Sequence, residues 1–215
     1  MARADYTRPD FYARKAKAKG YAARSVFKLE ELDQKEKLIR PGDRVLDLGA
    51  APGSWMQYTA GRVGPKGLVV GVDLKELGRP LQPNERFLRA DAFELSGEDL
   101  VARFGNFTVV LSDLAPSTMG DKSTDHFRSL ALAERALRLG TKVLRPRGHF
   151  LVKVFMGADF DAFVRALRPS FRAVKLKKPK SSRATSREIY ILGREFIRRS
   201  AGEGTRAPKE RNSDG

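Results

Sequence analysis

Leu46-Asp47-Leu48-Gly49-Ala50-Ala51-Pro52-Gly53-Ser54-Trp55 is the stretch that decides the reading of this chain. The apolar run from Arg44 to Leu48 predicts a short buried strand, and the residues from Ser54 to about Ala60 predict a helix. The residues between them are small, so a backbone can approach a ligand closely, and the free amides of the helix's first turn add a polar rim. That is the build of a nucleotide-type pocket; the alternative is an ordinary tight strand-to-helix turn. A second apolar run, Leu68-Val69-Val70-Gly71-Val72, ends in Asp73, at a spacing where a carboxylate accepts hydrogen bonds from ribose hydroxyls. The nicotinamide fingerprint G-x-G-x-x-G does not fit, because the glycines are wrongly spaced and Pro52 lacks an amide. A different adenosine cofactor is expected.

Outward from this stretch, apolar runs at 86–89, 106–111, 149–155, 171–175 and 188–192 predict further strands. Segments 10–19, 25–37, 96–103, 125–144 and 159–168 predict helices. Met119 to Thr124 reads as a loop, Pro146-Arg147-Gly148 as a helix stop, and Lys177 to Arg187 as a basic loop. Strands alternating with helices imply an α/β fold with a mostly parallel, doubly wound sheet, whose ligands lie outside the carboxyl ends of the strands. Asp73, Asp91 and Asp113 each fall at or just beyond such an end, and Lys153 is the one charge inside Leu151-Val152-Lys153-Val154-Phe155. A lysine there either serves chemistry or reaches out of an edge strand. Glu188 opens its strand, so it joins the same rim only if the last strand runs antiparallel; the short connection from Lys175 permits this.

A chain of 215 residues, 41% hydrophobic and 32% charged, suits one soluble domain. It has no cysteine, which excludes disulfides and thiolate metal sites, and its two histidines are too few for a metal cluster, so no metal is expected. No run approaches the roughly 18 apolar residues of a membrane span, and a cytoplasmic protein is expected. The net charge of +16 is clustered. Residues 1–28 carry eight Lys/Arg against two Asp/Glu, residues 29–171 carry 21 against 19, and residues 172–215 carry 13 against five. A nearly neutral centre with basic ends suggests a catalytic domain whose termini grip phosphates, the plainer alternative being a solvated helix and a loose tail. The expected division is a basic RNA-binding extension at 1–24, a catalytic domain at 25–197 and a disordered basic tail at 198–215.

The sequence resembles the FtsJ/RrmJ family of S-adenosylmethionine-dependent RNA ribose 2′-O-methyltransferases, and within it the bacterial type that acts on a uridine of large-subunit ribosomal RNA. The likeness runs from about Asp10 to Arg194. It rests on the basic segment and first helix at 15–32, the loop from Leu46 to Trp55, Ser112-Asp113-Leu114-Ala115-Pro116, the Lys153 strand and Ser186-Arg187-Glu188-Ile189-Tyr190. Ser54 stands where many members have a second glycine, and no S4-like RNA-binding segment is recognised. The resemblance implies a Rossmann-like methyltransferase fold with helices on both faces of a seven-stranded sheet, its last strand antiparallel. It implies S-adenosylmethionine as cofactor, with Gly53 and Trp55 on its methionine side, Asp73 at its ribose, Asp91 at its adenine and Asp113 beside the methyl donor. For Trp55, core packing is an equal alternative.

The resemblance also implies a catalytic set, Lys28, Asp113, Lys153 and Glu188, with Lys153 as proton acceptor. An unperturbed lysine is only about one part in a thousand neutral near pH 7.4, so its surroundings decide whether it can act as a base. Lys28 and a sulfonium disfavour a second cation there, whereas Asp113 and Glu188 favour one. The implied partner is ribosomal RNA, within the large subunit, for a monomeric enzyme. Phe11, Tyr12 and Tyr21 would offer a stacking surface, or else dock the first helix. Transfer RNA or cap ribose methylation, and an assembly factor with little catalysis, are the alternative readings.

Overall fold

The computed structural model describes residues 11–117, 120–182 and 186–198. Residues 1–10, 118–119, 183–185 and 199–215 lie outside the described residues, and with them part of the expected N-terminal extension, parts of the expected loops at Met119 to Thr124 and Lys177 to Arg187, and most of the expected tail. In chain order the elements are α1 (Phe11–Ala18), α2 (Val26–Glu36), β1 (Arg44–Leu48), α3 (Ser54–Val63), β2 (Leu68–Asp73), β3 (Glu85–Arg89) and α4 (Gly97–Phe104). These are followed by β4 (Phe107–Ser112), α5 (Lys122–Val143), β5 (Leu144–Phe155), α6 (Phe160–Leu167), a 3-10 turn (Arg168–Ser170), β6 (Phe171–Lys177) and β7 (Glu188–Phe196).

The strands form one seven-stranded sheet in the order β3-β2-β1-β4-β5-β7-β6. β3, β2, β1, β4 and β5 run parallel, and β7 inserts antiparallel between β5 and β6. The central strand β4 is buried along its whole length, as a parallel strand covered on both faces must be. The edge strands β3 and β6 instead carry Arg86, Arg89, Arg172, Lys175 and Lys177, charges that discourage pairing with another chain.

Two apolar layers sandwich the sheet. On one face α2 and α3 bury Leu29, Leu32, Trp55 and Met56 against Val45, Val109, Leu111, Leu151 and Tyr190. On the other, α4, α5 and α6 bury Leu100, Ala133, Ala136, Leu139, Phe160 and Phe163 against Leu46, Val70, Val110, Phe150 and Val152. Each strand sends alternate side chains to the two layers, which is the two-residue period of an extended chain. Around the start of α2, Tyr12 and Tyr21 pack against Phe27, docking α1, while Phe11 is exposed.

Of the boundaries that differ from the sequence reading, two have a clear local cause. α5 begins at Lys122 and not near Asp125, because the Asp121 side chain accepts a hydrogen bond from the Thr124 amide at 2.7 Å and caps the helix. At the other end Pro146-Arg147-Gly148 does not merely stop α5. Leu144 already pairs with Phe107 and His149 pairs with Val109, so residues 145–148 bulge out of β5.

Candidate active site

The strand order reverses between β1 and β4, and their carboxyl ends open a crevice there, as in other open α/β sheets. Gly49 closes β1 with φ 82°, and a Cβ on it would stand 2.7 Å from the Leu114 amide nitrogen. Only glycine lets the β1 and β4 loops approach so closely. The cavity that results, about 470 Å³, is lined by Gly49, Ala51, Asp73, Asp91, Phe93, Asp113 and Lys153 among others. Its size suits a nucleoside cofactor.

Asp73 ends β2 and ties two loops together: Oδ2 accepts from the Ala51 amide at 3.0 Å and Oδ1 from the Lys75 amide at 2.9 Å. Each oxygen keeps a lone pair for a ribose hydroxyl. Asp91 holds its own loop, accepting from the Phe93 amide at 2.9 Å, and the exposed Phe93 ring stands beside it on the cavity wall. Replacing Asp73 with Asn is expected to weaken binding of S-adenosylhomocysteine about 10- to 100-fold, the worth of one or two hydrogen bonds to a charged acceptor, as calorimetry would show.

Gly53 and Trp55 are not among the residues lining this cavity. Gly53, at φ 107°, is the turn into α3, and its carbonyl accepts from Arg79 Nε at 3.1 Å. Trp55 is 3% exposed; its indole donates to the Ser25 carbonyl at 2.9 Å and its ring lies 5.9 Å from that of Tyr190. Core packing accounts for that position.

Beyond the cavity lies a second cluster on the same rim. Lys153, 7% exposed, donates to Asp113 Oδ1 at 2.9 Å and to the Asp113 carbonyl at 2.7 Å. Lys28 on α2 pairs with Glu188 Oε1 at 2.6 Å, and the Ser182 hydroxyl donates to that same oxygen at 2.8 Å. Lys153 pairs with Tyr190 across the sheet and Glu188 with Phe155, so Lys153 and Glu188 are diagonal neighbours on one face. The four charges therefore meet as two ion pairs on one rim: Lys153 sits against Asp113, and Glu188 against Lys28.

Tyr190 was not legible as a site residue. It is fully buried and donates to Asp113 Oδ1 at 2.9 Å, joining Lys153 on that oxygen. Burial, with Asp113 and Glu188 nearby, raises its hydroxyl well above the usual tyrosine range, so it stays a donor. The two-residue spacing from Glu188 was the one available signal, since it puts both side chains on one face.

Asp47 lies beneath the glycine turn, fully buried, with neither oxygen hydrogen-bonded among the described residues. Burial foremost, then Asp113, Asp73 and Glu85, push its carboxyl well above the ordinary range. A raised folded value means that its contribution to stability is whole below the unfolded value of about 3.9 and is lost as pH rises toward the folded one. Asp47→Asn, neutral throughout, is expected to gain on the parent by about 1.4 kcal/mol per pH unit in that window. Denaturant unfolding at several pH values checks this; a gap independent of pH would contradict a neutral Asp47.

Comparison with known proteins agrees with this architecture. Residues 21–196 match the FtsJ-like methyltransferase family. A protein of Desulfatibacillum aliphaticivorans named Ribosomal RNA large subunit methyltransferase E is 49% identical over 184 residues, 86% of this chain and 89% of the relative. A protein of the same name from Sorangium cellulosum is 46% identical over 198 residues, 92% of each. Among solved structures, a ribosomal RNA methyltransferase of Plasmodium falciparum superposes with a TM-score of 0.74 at 28% identity, over 83% of this chain and all of that one. The fibrillarin of Aeropyrum pernix, solved with S-adenosyl-L-methionine, shares the fold at a TM-score of 0.54 and 17% identity, over 79% of this chain and 76% of that one. With most of its length matched and close relatives nearly coextensive with it, the chain belongs to the FtsJ-like methyltransferase family.

Proposed function

We propose that this chain transfers a methyl group from S-adenosylmethionine to a ribose 2′-hydroxyl of RNA, and that the substrate is a uridine of large-subunit ribosomal RNA. The relatives' names support the substrate class. The observation that carries the chemistry is that Asp113 and Lys153 belong both to the cavity lining and to the ion-paired cluster. Whatever fills the cavity is thereby set beside the amine.

The cavity residues fit the cofactor: Asp73 holds its ribose, Asp91 and Phe93 its adenine end, and Asp113 stands at the end nearest the cluster. When bound, S-adenosylmethionine supplies an electrophilic methyl on a positively charged sulfur, a charge that disfavours a second cation beside it. Lys153 in its ammonium form is anchored by the Asp113 side chain and carbonyl. After losing a proton it keeps its place and accepts the ribose hydroxyl proton on Nζ. Tyr190 and Asp113 fix the amine's position, and Lys28, held by Glu188 and indirectly by Ser182, orients the ribose. Much of the acceleration comes from this positioning.

The test is methyl transfer from labelled cofactor to undermethylated large subunits, free ribosomal RNA and transfer RNA. Transfer to the large subunit or its RNA supports the proposal. Transfer to transfer RNA alone moves the substrate, and RNA binding without transfer assigns the chain an assembly role.

A further inference from the structure

At the opposite rim of the sheet from the methyl-transfer site lies a cavity of about 400 Å³ that the reaction does not use. Four arginines line it, Arg40 before β1, Arg145 and Arg147 on the β5 bulge and Arg194 on β7, together with His149. Arg194 is engaged by Glu36, through the carbonyl at 2.7 Å and the carboxylate at 3.3 Å. Arg40, Arg145 and Arg147 have no ion pair among the described residues, and all three are exposed. Two acids share the wall and offset part of this charge: Asp43 Oδ2 accepts from the Arg40 backbone amide at 2.7 Å, and Glu195 pairs with Arg172, outside the cavity lining, at 3.6 Å.

The backbone bears the same mark. Among the described residues three non-glycines have positive φ: Lys37, Arg147 and Glu195. Lys37 is the C-cap of α2, a place where such a conformation is ordinary. The other two, at φ 64° and φ 56°, both line this cavity. A non-glycine residue held there costs on the order of 1 kcal/mol or more, and such residues cluster where a site demands them. On the β5 bulge the cost turns Arg145 and Arg147 toward one concavity.

We infer that this cavity is a second phosphate-binding site, taking a phosphate group from an RNA strand or from the free anion. Planar guanidinium groups match phosphate in pairs, and three without carboxylate partners around one hollow give it the charge to retain a dianion. His149 lies about 13 Å along β5 from Lys153, so a strand held here would meet the protein on the rim opposite the reacting ribose. The site does not depend on the roles assigned to Lys153 or Asp73.

His149 reports on occupancy. Burial foremost, then Arg194 and Arg40, hold its imidazole below the usual value, with Asp43 and Glu195 opposing; Arg145 and Arg147 face it from its own strand. Its Nδ1 accepts from the Glu195 amide at 3.3 Å. An anion seated among the arginines offsets their charge and favours the imidazolium. The chain has only one other histidine, His126, whose Nδ1 is hydrogen-bonded to the Phe155 carbonyl at the far rim and which serves as internal control.

The experiment follows both ring signals by NMR against pH in the full-length protein, with inorganic phosphate, with a ten-uridine RNA and with chloride at equal ionic strength. Expected is a rise of about one pH unit in the His149 midpoint with phosphate or RNA over chloride, and none at His126. In Arg145→Ala/Arg147→Ala the apparent affinity for the effective anion should fall at least about tenfold. A response to phosphate identifies the free anion as sufficient, and a response to RNA alone identifies a strand; either supports the site. Midpoints equal to those in chloride in both arms, or a rise that survives in the double variant, would overturn it.

Discussion

Lys153→Ala is expected to lower methyl transfer about 1000-fold, within the range assigned to a positioned general base, while affinity for S-adenosylhomocysteine changes by less than about tenfold. The separation follows from geometry. Lys153 lines the cavity from β5, and Asp73 and Asp91, which in the proposed reading hold the cofactor's ribose and adenine, line it from the ends of β2 and β3. Lys153→Arg should fail nearly as badly, because a guanidinium keeps the charge and the hydrogen bonds to Asp113 yet cannot take up a proton near neutrality. Single-turnover assays beside calorimetry check both variants. Near-parental transfer by the arginine variant would leave Lys153 a purely electrostatic role.

Arg79→Met should cost about 3–5 kcal/mol of stability and loosen the cofactor loop as well. Arg79 forms a two-pronged pair with Glu85, at 2.8 and 2.5 Å, and donates to the Gly53 carbonyl. The Glu85 side chain is wholly buried, and its remaining contact is the Gln82 amide at 2.8 Å. Removing the guanidinium strands a buried carboxylate, which is far costlier than the pair is favourable. Arg79→Met/Glu85→Gln should recover most of the loss, and urea unfolding of the single and double variants measures the coupling. Were the single change to cost under about 1 kcal/mol, the pair would be no more than a surface contact.

Much of this was readable before any coordinates. The two periodicities, 2 for strands and 3.6 for helices, located the seven strands and six helices of the described residues, with boundaries off by a few residues. Asp73, Asp91, Asp113 and Lys153 could be placed on one rim because a parallel sheet puts every strand end on the same side. Glu188 required an antiparallel strand, and β7 runs that way, since ten residues from Lys177 to Glu188 leave no room for a helical crossover. The start of α5 was misread because a capping aspartate, Asp121, looks the same in sequence as a loop aspartate.

The chain by itself determined which residues stand at the ends of strands, because local periodicity and turn chemistry set those positions without long-range contacts. Which of those residues touch was decided only by the tertiary structure. That Lys153 takes Asp113 and Lys28 takes Glu188, that Tyr190 lies beneath Asp113, and that Trp55 supports Tyr190 all depend on the register of β7 against β5 and the docking of α2. Register is a property of paired strands, and burial against a neighbouring helix selects it; no single segment carries that information.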